Sequence, residues 1–495
     1  MDSESPAKPL ILVLDEGTTS TRALVFDQRG AIVAAAARPI TQHYPQSGWV
    51  EQDASKIWAL SLDCLREAVG KVGVGRIAAI GITNQRETVV AWDRVTGEPL
   101  APAIVWQDRR TADRCAELRA SGFEPAVQAT TGLLLDPYFS ATKFDWLLGN
   151  HATARDAARE GRLALGTVDA WLMWKLTEGR VHATDATNAS RTLLMDLKAC
   201  TWHPGMIERF RIPLAALPTI TDCAGPLGIT RLLGPPIPIT ASVGDQHAAA
   251  IGQACLTRSM VKATYGTGIF VLAHGGPKRV RSRHRLLSTL AWRLNGVAAY
   301  ALEGSVFTGG AAVQWLRDGI GVIQTAAESE LLARSVPDNG GVVVVPAFVG
   351  MGAPHWRADV RGIVTGLTAA TTRAHLVRAT LSAMAHQTAD LLEALAADGI
   401  APTRLRVDGG MVANDWLCQH IADVLGLPVE RPSVIETTAL GCAMLAGLGA
   451  GLFPTLAAAS ALAHPERVFT PDYDDDRRAA ERAAWAHGVR QALTT

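Results

Sequence analysis

Four short stretches of the chain bring together residue types that could hold or transfer a phosphoryl group. The first is Asp15-Glu16-Gly17-Thr18-Thr19-Ser20-Thr21-Arg22, a polar turn between the apolar runs Leu10–Leu14 and Ala23–Phe26. Closely spaced backbone N–H groups, hydroxyls and one guanidinium are what a nucleotide polyphosphate requires. Asp15, closing the first run, stands where Mg²⁺ could be held through its water. A plain hairpin with polar turn residues has the same composition. The second is Gly81-Ile82-Thr83-Asn84-Gln85-Arg86-Glu87, which ends a strand in two amides and adjacent opposite charges. Arg donates to hydroxyl groups and Glu accepts from them, so the pair suits a small polyhydroxylated ligand; a surface ion pair is the alternative. The third, Ile104-Val105-Trp106-Gln107-Asp108, puts an indole at the end of an apolar strand, where a core Trp is equally at home. The fourth, Val243-Gly244-Asp245-Gln246-His247, leads a carboxylate into an alanine-rich helix, as a site residue or as a helix N-cap.

The elements that must position these residues are alternating strands and helices. Residues 10–14, 22–27 and 31–36 read as consecutive strands, with a turn at Asp27-Gln28-Arg29-Gly30. Asp53 caps a helix in which Ile57, Leu60, Cys64, Leu65 and Ala68 share a face. Strands at 76–82 and 88–92 and a helix at 111–120 follow. A second series begins near residue 253. The strands 260–265 and 269–273 bracket another glycine turn, Gly266-Thr267-Gly268. Further on, the strand Leu405–Asp408 ends in Gly409-Gly410 before a helix over 414–425, a geometry that lets a nucleotide approach backbone closely. A phosphate-type hairpin thus occurs once near the start of each half, which points to a duplicated α/β domain with a ligand cleft between the copies.

The chain of 495 residues is long enough for two large domains, and 48% apolar residues with 19% charged ones is a globular balance. Lys+Arg and Asp+Glu both number 47, which gives no footprint for nucleic acid or an anionic membrane. Seven scattered cysteines, none in a C-x-x-C pair, point to buried thiols in a reducing, cytoplasmic setting. The polar first nine residues carry no signal-peptide pattern, and the small-apolar run Ala439–Phe453 is too short and glycine-broken to span a bilayer. No P-loop, protein-kinase, zincin or G-x-S-x-G motif is present.

In their order, these segments resemble the FGGY family of carbohydrate kinases over nearly all of residues 10–455. The resemblance also rests on Asp136-Pro137-Tyr138-Phe139-Ser140, Gly166-Thr167-Val168-Asp169 and Thr184 to Thr192. Later matches are Gly244-Asp245-Gln246, Thr264 to Gly268, Ala301-Leu302-Glu303-Gly304 and Val407-Asp408-Gly409-Gly410. It implies an actin-like (ribonuclease H-like) α/β fold of duplicated ATPase domains with a central cleft, divided here as 8–252 and 253–495. The segment around Arg86 and Glu87 differs from that of the family's sugar kinases. The implied reaction is ATP-dependent phosphorylation of glycerol to sn-glycerol 3-phosphate, in glycerol uptake and catabolism. A kinase of another small polyol or of dihydroxyacetone is the alternative. ATP with Mg²⁺ would bind Thr18, Thr19, Ser20 and Arg22 on one side and Thr267, Gly268 and Gly310 on the other. Gln314, Gly410 and Asn414 would line the nucleoside side. Glycerol would hydrogen-bond Arg86, Glu87, Tyr138, Asp245 and Gln246, with Trp106 and Phe270 as an apolar wall against its carbons. Asp245 would take the hydroxyl proton, a role worth ~10²–10⁴-fold. No nucleic acid or membrane insertion is implied, and a homo-oligomer, dimer or tetramer, is expected.

The chain departs from the family in places. Glu16 stands where many members have Gln, which is expected to add negative charge near the phosphates. His247 stands where Gln is common. The stretch Thr230 to Pro236 lacks the Gly-Gly-Thr-Arg loop with which some bacterial members bind fructose 1,6-bisphosphate.

Overall fold

The computed structural model describes residues 9–357, 359–434 and 436–494. Residues 1–8, which carry most of the polar start read above and the first position of the 8–252 division, lie outside the described residues. In the first half, β1 (Leu10–Glu16), β2 (Ser20–Phe26) and β3 (Ile32–Pro39) form an antiparallel meander. Every residue of β1 is buried, so the strand reads as a continuous apolar run rather than as an alternation. Helix α1 (Ala54–Val72) opens where the Asp53 carboxylate accepts from the N–H groups of Ser55 and Lys56. It leads to β4 (Ile77–Asn84), parallel to β1. After β5 (Ala224–Thr230) comes β6 (Ile237–Gly244), parallel to β4, and then α2 (Asp245–Gly252). The sheet order is β5-β6-β4-β1-β2-β3. The strand expected at 88–92 forms at Val89–Asp93 but joins a separate four-stranded sheet with 51–52, 103–104 and 163–167.

The second half contains β7 (Val261–Tyr265), β8 (Ile269–Gly276), β9 (Leu287–Leu294), β10 (Val297–Val306) and the short α3 (Gly310–Gln314). These are followed by α4 (Arg373–Ala397), β11 (Leu405–Asp408), α5 (Asp415–Leu425), β12 (Val429–Pro432), α6 (Thr437–Gly449), β13 (Pro465–Phe469) and α7 (Asp475–Thr494). Its sheet runs β9-β10-β8-β7-β11-β12-β13. With β5, β9 and β13 set aside, β3-β2-β1-β4-β6 and β10-β8-β7-β11-β12 are the same pattern: three antiparallel strands, then two parallel ones. The two hairpins seen in the sequence are the first turns of these equivalent sheets.

The halves are not independent bodies. Helix α6, from the second half, packs on the first sheet: Cys442, Ala443 and Ala446 share one buried cluster with Ile11, Val13, Val243 and Ile251. Helices α2 and α6 follow equivalent strands of the two sheets and cross at glycines. A Cβ on Gly252 would lie 1.9 Å from the Thr437 carbonyl oxygen, and one on Gly441 would lie 1.9 Å from that of Ala248. Backbone touches backbone there, which only glycine permits.

Candidate active site

A buried charged cluster forms where the halves meet. Arg86 follows β4, and its guanidinium donates to Glu303 of β10 through Nη1 at 2.6 Å and Nη2 at 3.1 Å. The same group reaches Asp245 Oδ1 through Nε at 3.2 Å and Tyr138 Oη through Nη2 at 3.4 Å. Glu87 does not pair with its neighbour. It accepts from Arg191 Nε at 2.6 Å, while Arg191 Nη2 donates to Glu303 at 3.0 Å. Arg86, Glu87, Arg191 and Glu303 are all buried, so the alternative of a surface ion pair fails. Burial alone would raise the Glu303 carboxyl, but Arg191 and Arg86 hold it well below the usual carboxylate range. Glu87 is raised, burial outweighing the two guanidinium groups. Glu87 also holds a φ of 61°, a left-handed backbone that a non-glycine residue adopts at a cost of about 1–2 kcal/mol.

Asp245 is the first residue of α2, with Gly244 in the cap position, so its carboxylate is not the N-cap. Oδ1 accepts from the Gln246 N–H at 2.7 Å, and the side chain remains 29% exposed. Its pKa is raised by burial, against the opposing pull of Arg86 and Lys262. Lys262 of β7 donates to Gln246 Oε1 and to Thr264 Oγ1, the latter at 2.7 Å. Trp106 is neither fully buried nor idle: its ring meets Tyr138 and Phe270 edge-on at 5.7 and 5.9 Å, and its Nε1 donates to Thr18 Oγ1 at 2.9 Å. Arg86, Tyr138, Asp245, Trp106 and Phe270 are thus joined by direct contacts, Gln246 adds its N–H to Asp245, and Glu87 is tied in through Arg191 and Glu303. A cluster of charged hydrogen-bonding groups beside an aromatic wall can take a small ligand with hydroxyls on one side and C–H groups on the other. His247 is buried and its imidazole is held neutral by that burial, with Nε2 3.5 Å from Thr289 Oγ1.

Sequence reasoning gave no role to Glu303, Arg191 or Lys262. Glu303 and Arg191 lie inside two of the quoted family segments, which was the available signal. Arg86 and Glu303 are 217 residues apart, however, and no spacing rule connects them.

A pocket of about 300 Å³ is lined by Thr267, Gly310, Gln314 and Gly410, with Tyr265 and Met411. Gly410 is open to it: a Cβ there would meet nothing within 4 Å. Gly268 is not among the lining residues; a Cβ there would come 2.5 Å from the Val306 carbonyl oxygen. Asn414 is placed differently. Its side-chain oxygen accepts from the Leu417 N–H at 2.9 Å and caps α5. In the first turn, the Gly17 N–H donates to the Ser20 carbonyl at 2.9 Å, while Thr19 is exposed and Thr18 and Ser20 are half-buried. Arg22 bridges Asp15 and Glu436, the second at 2.5 Å. Asp15 is raised by burial, with Arg22 opposing.

Glu16 requires a correction. Successive side chains of a strand point to opposite faces, so when Asp15 faces Arg22, Glu16 faces α1. Its Oε2 accepts from Ser61 Oγ at 2.8 Å, and Oε1 is buried without a hydrogen-bond partner. Burial pushes its pKa up to about 8. Its carboxyl therefore faces the core rather than the turn, and burial favours its protonated form.

A duplicated α/β fold with glycine turns in both halves and an acid–guanidinium cluster between them defines a two-domain phosphotransferase. Residues 10–252 match the N-terminal domain, and residues 261–450 the C-terminal domain, of the FGGY family of carbohydrate kinases. The chain belongs to that family. It is 54% identical over 491 residues to glycerol kinase of Rhodospirillum rubrum, covering 98% of this chain and 99% of that one. Glycerol kinase 1 of Pseudomonas aeruginosa is 50% identical, with 97% and 98% covered. Among solved structures, Plasmodium falciparum glycerol kinase with ADP superposes with a TM-score of 0.91 at 36% identity, covering 99% of both chains.

Proposed function

We propose that the protein transfers the γ-phosphoryl group of ATP to glycerol, giving ADP and sn-glycerol 3-phosphate, with Asp245 as general base. What supports this most is the meeting of Asp245, Arg86, Tyr138, Trp106 and Phe270 in one cluster, in a chain so similar over its length to glycerol kinases. Arg86, Glu87, Tyr138 and Gln246 bind and orient the hydroxyls, while Trp106 and Phe270 pack on the carbons. Asp245 accepts the proton of the hydroxyl whose oxygen bonds to the γ-phosphorus as the bond to the ADP oxygen breaks. Its raised pKa makes it a better acceptor than an ordinary aspartate. Arg86, 3.2 Å away, fixes its carboxylate. Thr18, Thr19 and Ser20 with Thr267, Gly268 and Gly310 offer donors to the phosphates from the two turns, and Gln314 and Gly410 border the nucleoside. Arg22 reaches the phosphates only by loosening its hold on Asp15 or Glu436.

Mg²⁺ takes hard oxygen donors. Asp15 fits that chemistry, as a carboxylate near the end of β1 beside the first turn. Asp15 would hold the ion through water, and when bound the ion would neutralise charge developing on the transferred group. The two halves, 8–252 and 253–495, each supply one phosphate turn. Seven buried free cysteines support a reducing, cytoplasmic setting; no helix among the described residues is long and apolar enough to cross a membrane.

The test is Asp245→Asn. The amide preserves shape and removes the base, so kcat is expected to fall at least ~10²-fold with the KM for glycerol nearly unchanged. A kcat near that of the native protein would remove Asp245 from this role.

A further inference from the structure

The C-terminal half contains a histidine–histidine–glutamate cluster on helices that take no part in the chemistry above. His386 lies on α4, His420 on α5 and Glu481 on α7. One ring nitrogen of each imidazole and one oxygen of the carboxylate lie within 4.8 Å of one another. His386 is 5% and His420 3% exposed. Two polar atoms of the set lack hydrogen-bond partners although buried: Nδ1 of His386 and Oε2 of Glu481. Nε2 of His420 stands 3.8 Å from that Oε2. A pocket of about 260 Å³, lined by Ser382, His386, Glu481 and Trp485 among others, adjoins the cluster and provides an entry path.

We propose that His386, His420 and Glu481 bind one divalent transition-metal ion of the zinc type, which fastens the C-terminal helix α7 to α4 and α5. Two imidazoles with a carboxylate and no thiolate form a borderline donor set, which selects Zn²⁺, Co²⁺ or Ni²⁺ over Mg²⁺ or Ca²⁺. The rings are already oriented. His386 stacks on Trp485 at 5.5 Å with 11° between planes, and His420 stacks on Trp416 at 4.8 Å with 15°. Nδ1 of His420 lies 3.4 Å from Tyr473 Oη; a proton placed there leaves the Nε2 lone pair for the metal, the usual outer-shell arrangement for a ligating histidine. Ser382 Oγ, 2.7 Å from Nε2, must rotate away as the ion enters.

Three guanidinium groups face the cluster; two are engaged elsewhere, and the third pairs with the other oxygen of Glu481. Arg378 donates to the carbonyls of Ala333 and Val336, and Arg482 to Asp390 and Glu393. Arg477 donates to Tyr473 Oη and lies 3.7 Å from Glu481 Oε1, leaving Oε2 for the ion.

The experiment uses the full chain, dialysed against EDTA and then titrated with Zn²⁺ by calorimetry, alongside Co²⁺ followed by its visible absorption. His386→Phe retains a ring to stack on Trp485, and Glu481→Gln alters a partly exposed side chain, so neither demands a refolded core. The expected result is one Zn²⁺ per chain with Kd of ~10 μM or tighter and at least ~10-fold weaker binding in each variant. A Zn²⁺-dependent rise in Tm should also vanish in both. Native-protein binding weaker than ~100 μM, or undiminished affinity in either variant, overturns the assignment.

Discussion

Replacing Glu16 with Gln tests the burial argument quantitatively. In the unfolded chain this carboxyl titrates near 4.5; in the folded protein burial pushes it to about 8. A raised acid favours the folded state fully below the unfolded pKa, and that contribution is lost as pH rises through the folded value. From about pH 5 to about pH 7 the unfolded carboxyl ionises while the folded one keeps its proton. At ~1.4 kcal/mol per unit, stability falls by about 2–3 kcal/mol over this interval, and further up to about pH 8. Gln does not titrate, and its amide can meet Ser61 Oγ as the carboxyl does. Glu16→Gln should therefore match the native protein at about pH 5 and exceed it by about 2–3 kcal/mol at about pH 7. For a domain of ~250 residues that is a Tm gain of about 5 °C. The assay is thermal unfolding of both proteins across that pH range, read as the difference between them, so that all other titrating groups cancel. Parallel curves, or a Gln protein that loses ground as pH rises, would show that Glu16 is ionised in the fold and refute the reasoning.

Two further substitutions probe the junction of the halves. Glu303→Gln leaves Arg86 and Arg191 buried against a neutral amide, and should cost about 3–5 kcal/mol of stability, read by thermal or urea unfolding; a change below ~0.5 kcal/mol would mean the two guanidinium groups do not depend on it. Gly441→Ala forces a Cβ to within 1.9 Å of the Ala248 carbonyl, and should lower stability by about 1–3 kcal/mol and kcat with it, as α2 and the attached Asp245 are displaced; an unaffected protein would show that α2 and α6 do not meet at this glycine.

The local chemistry of the sequence carried through to structure where it depended on neighbours. Asp53 caps α1, the strand 405–408 ends at its glycine pair, and the turns at Gly17 and Gly266 each join two antiparallel strands. Reading failed where partners are distant. Arg86 and Glu87 look like an ion pair because they are adjacent, but the turn that carries Glu87 at positive φ sends the two side chains to different partners, Glu303 and Arg191. Glu16, where many family members have Gln, is expected from the resemblance to add charge near the phosphates, whereas strand alternation turns it to the core. Nothing in the run Thr437–Gly449 shows that a helix of the second half will complete the core of the first. That packing depends on Gly252 and Gly441, 189 positions apart, meeting in space.

The most direct test of the proposed reaction is ADP release measured with ATP and Mg²⁺ against glycerol, dihydroxyacetone, erythritol and xylulose in parallel. A site that grips hydroxyls through Arg86, Glu87 and Asp245 and packs Trp106 and Phe270 on a short carbon chain should favour glycerol. Its kcat/KM is expected to exceed that of erythritol and xylulose by at least ~10²-fold, each added hydroxymethyl group having to displace packed side chains. Turnover of xylulose or erythritol equal to that of glycerol, or no glycerol-dependent ADP release at all, would contradict the account.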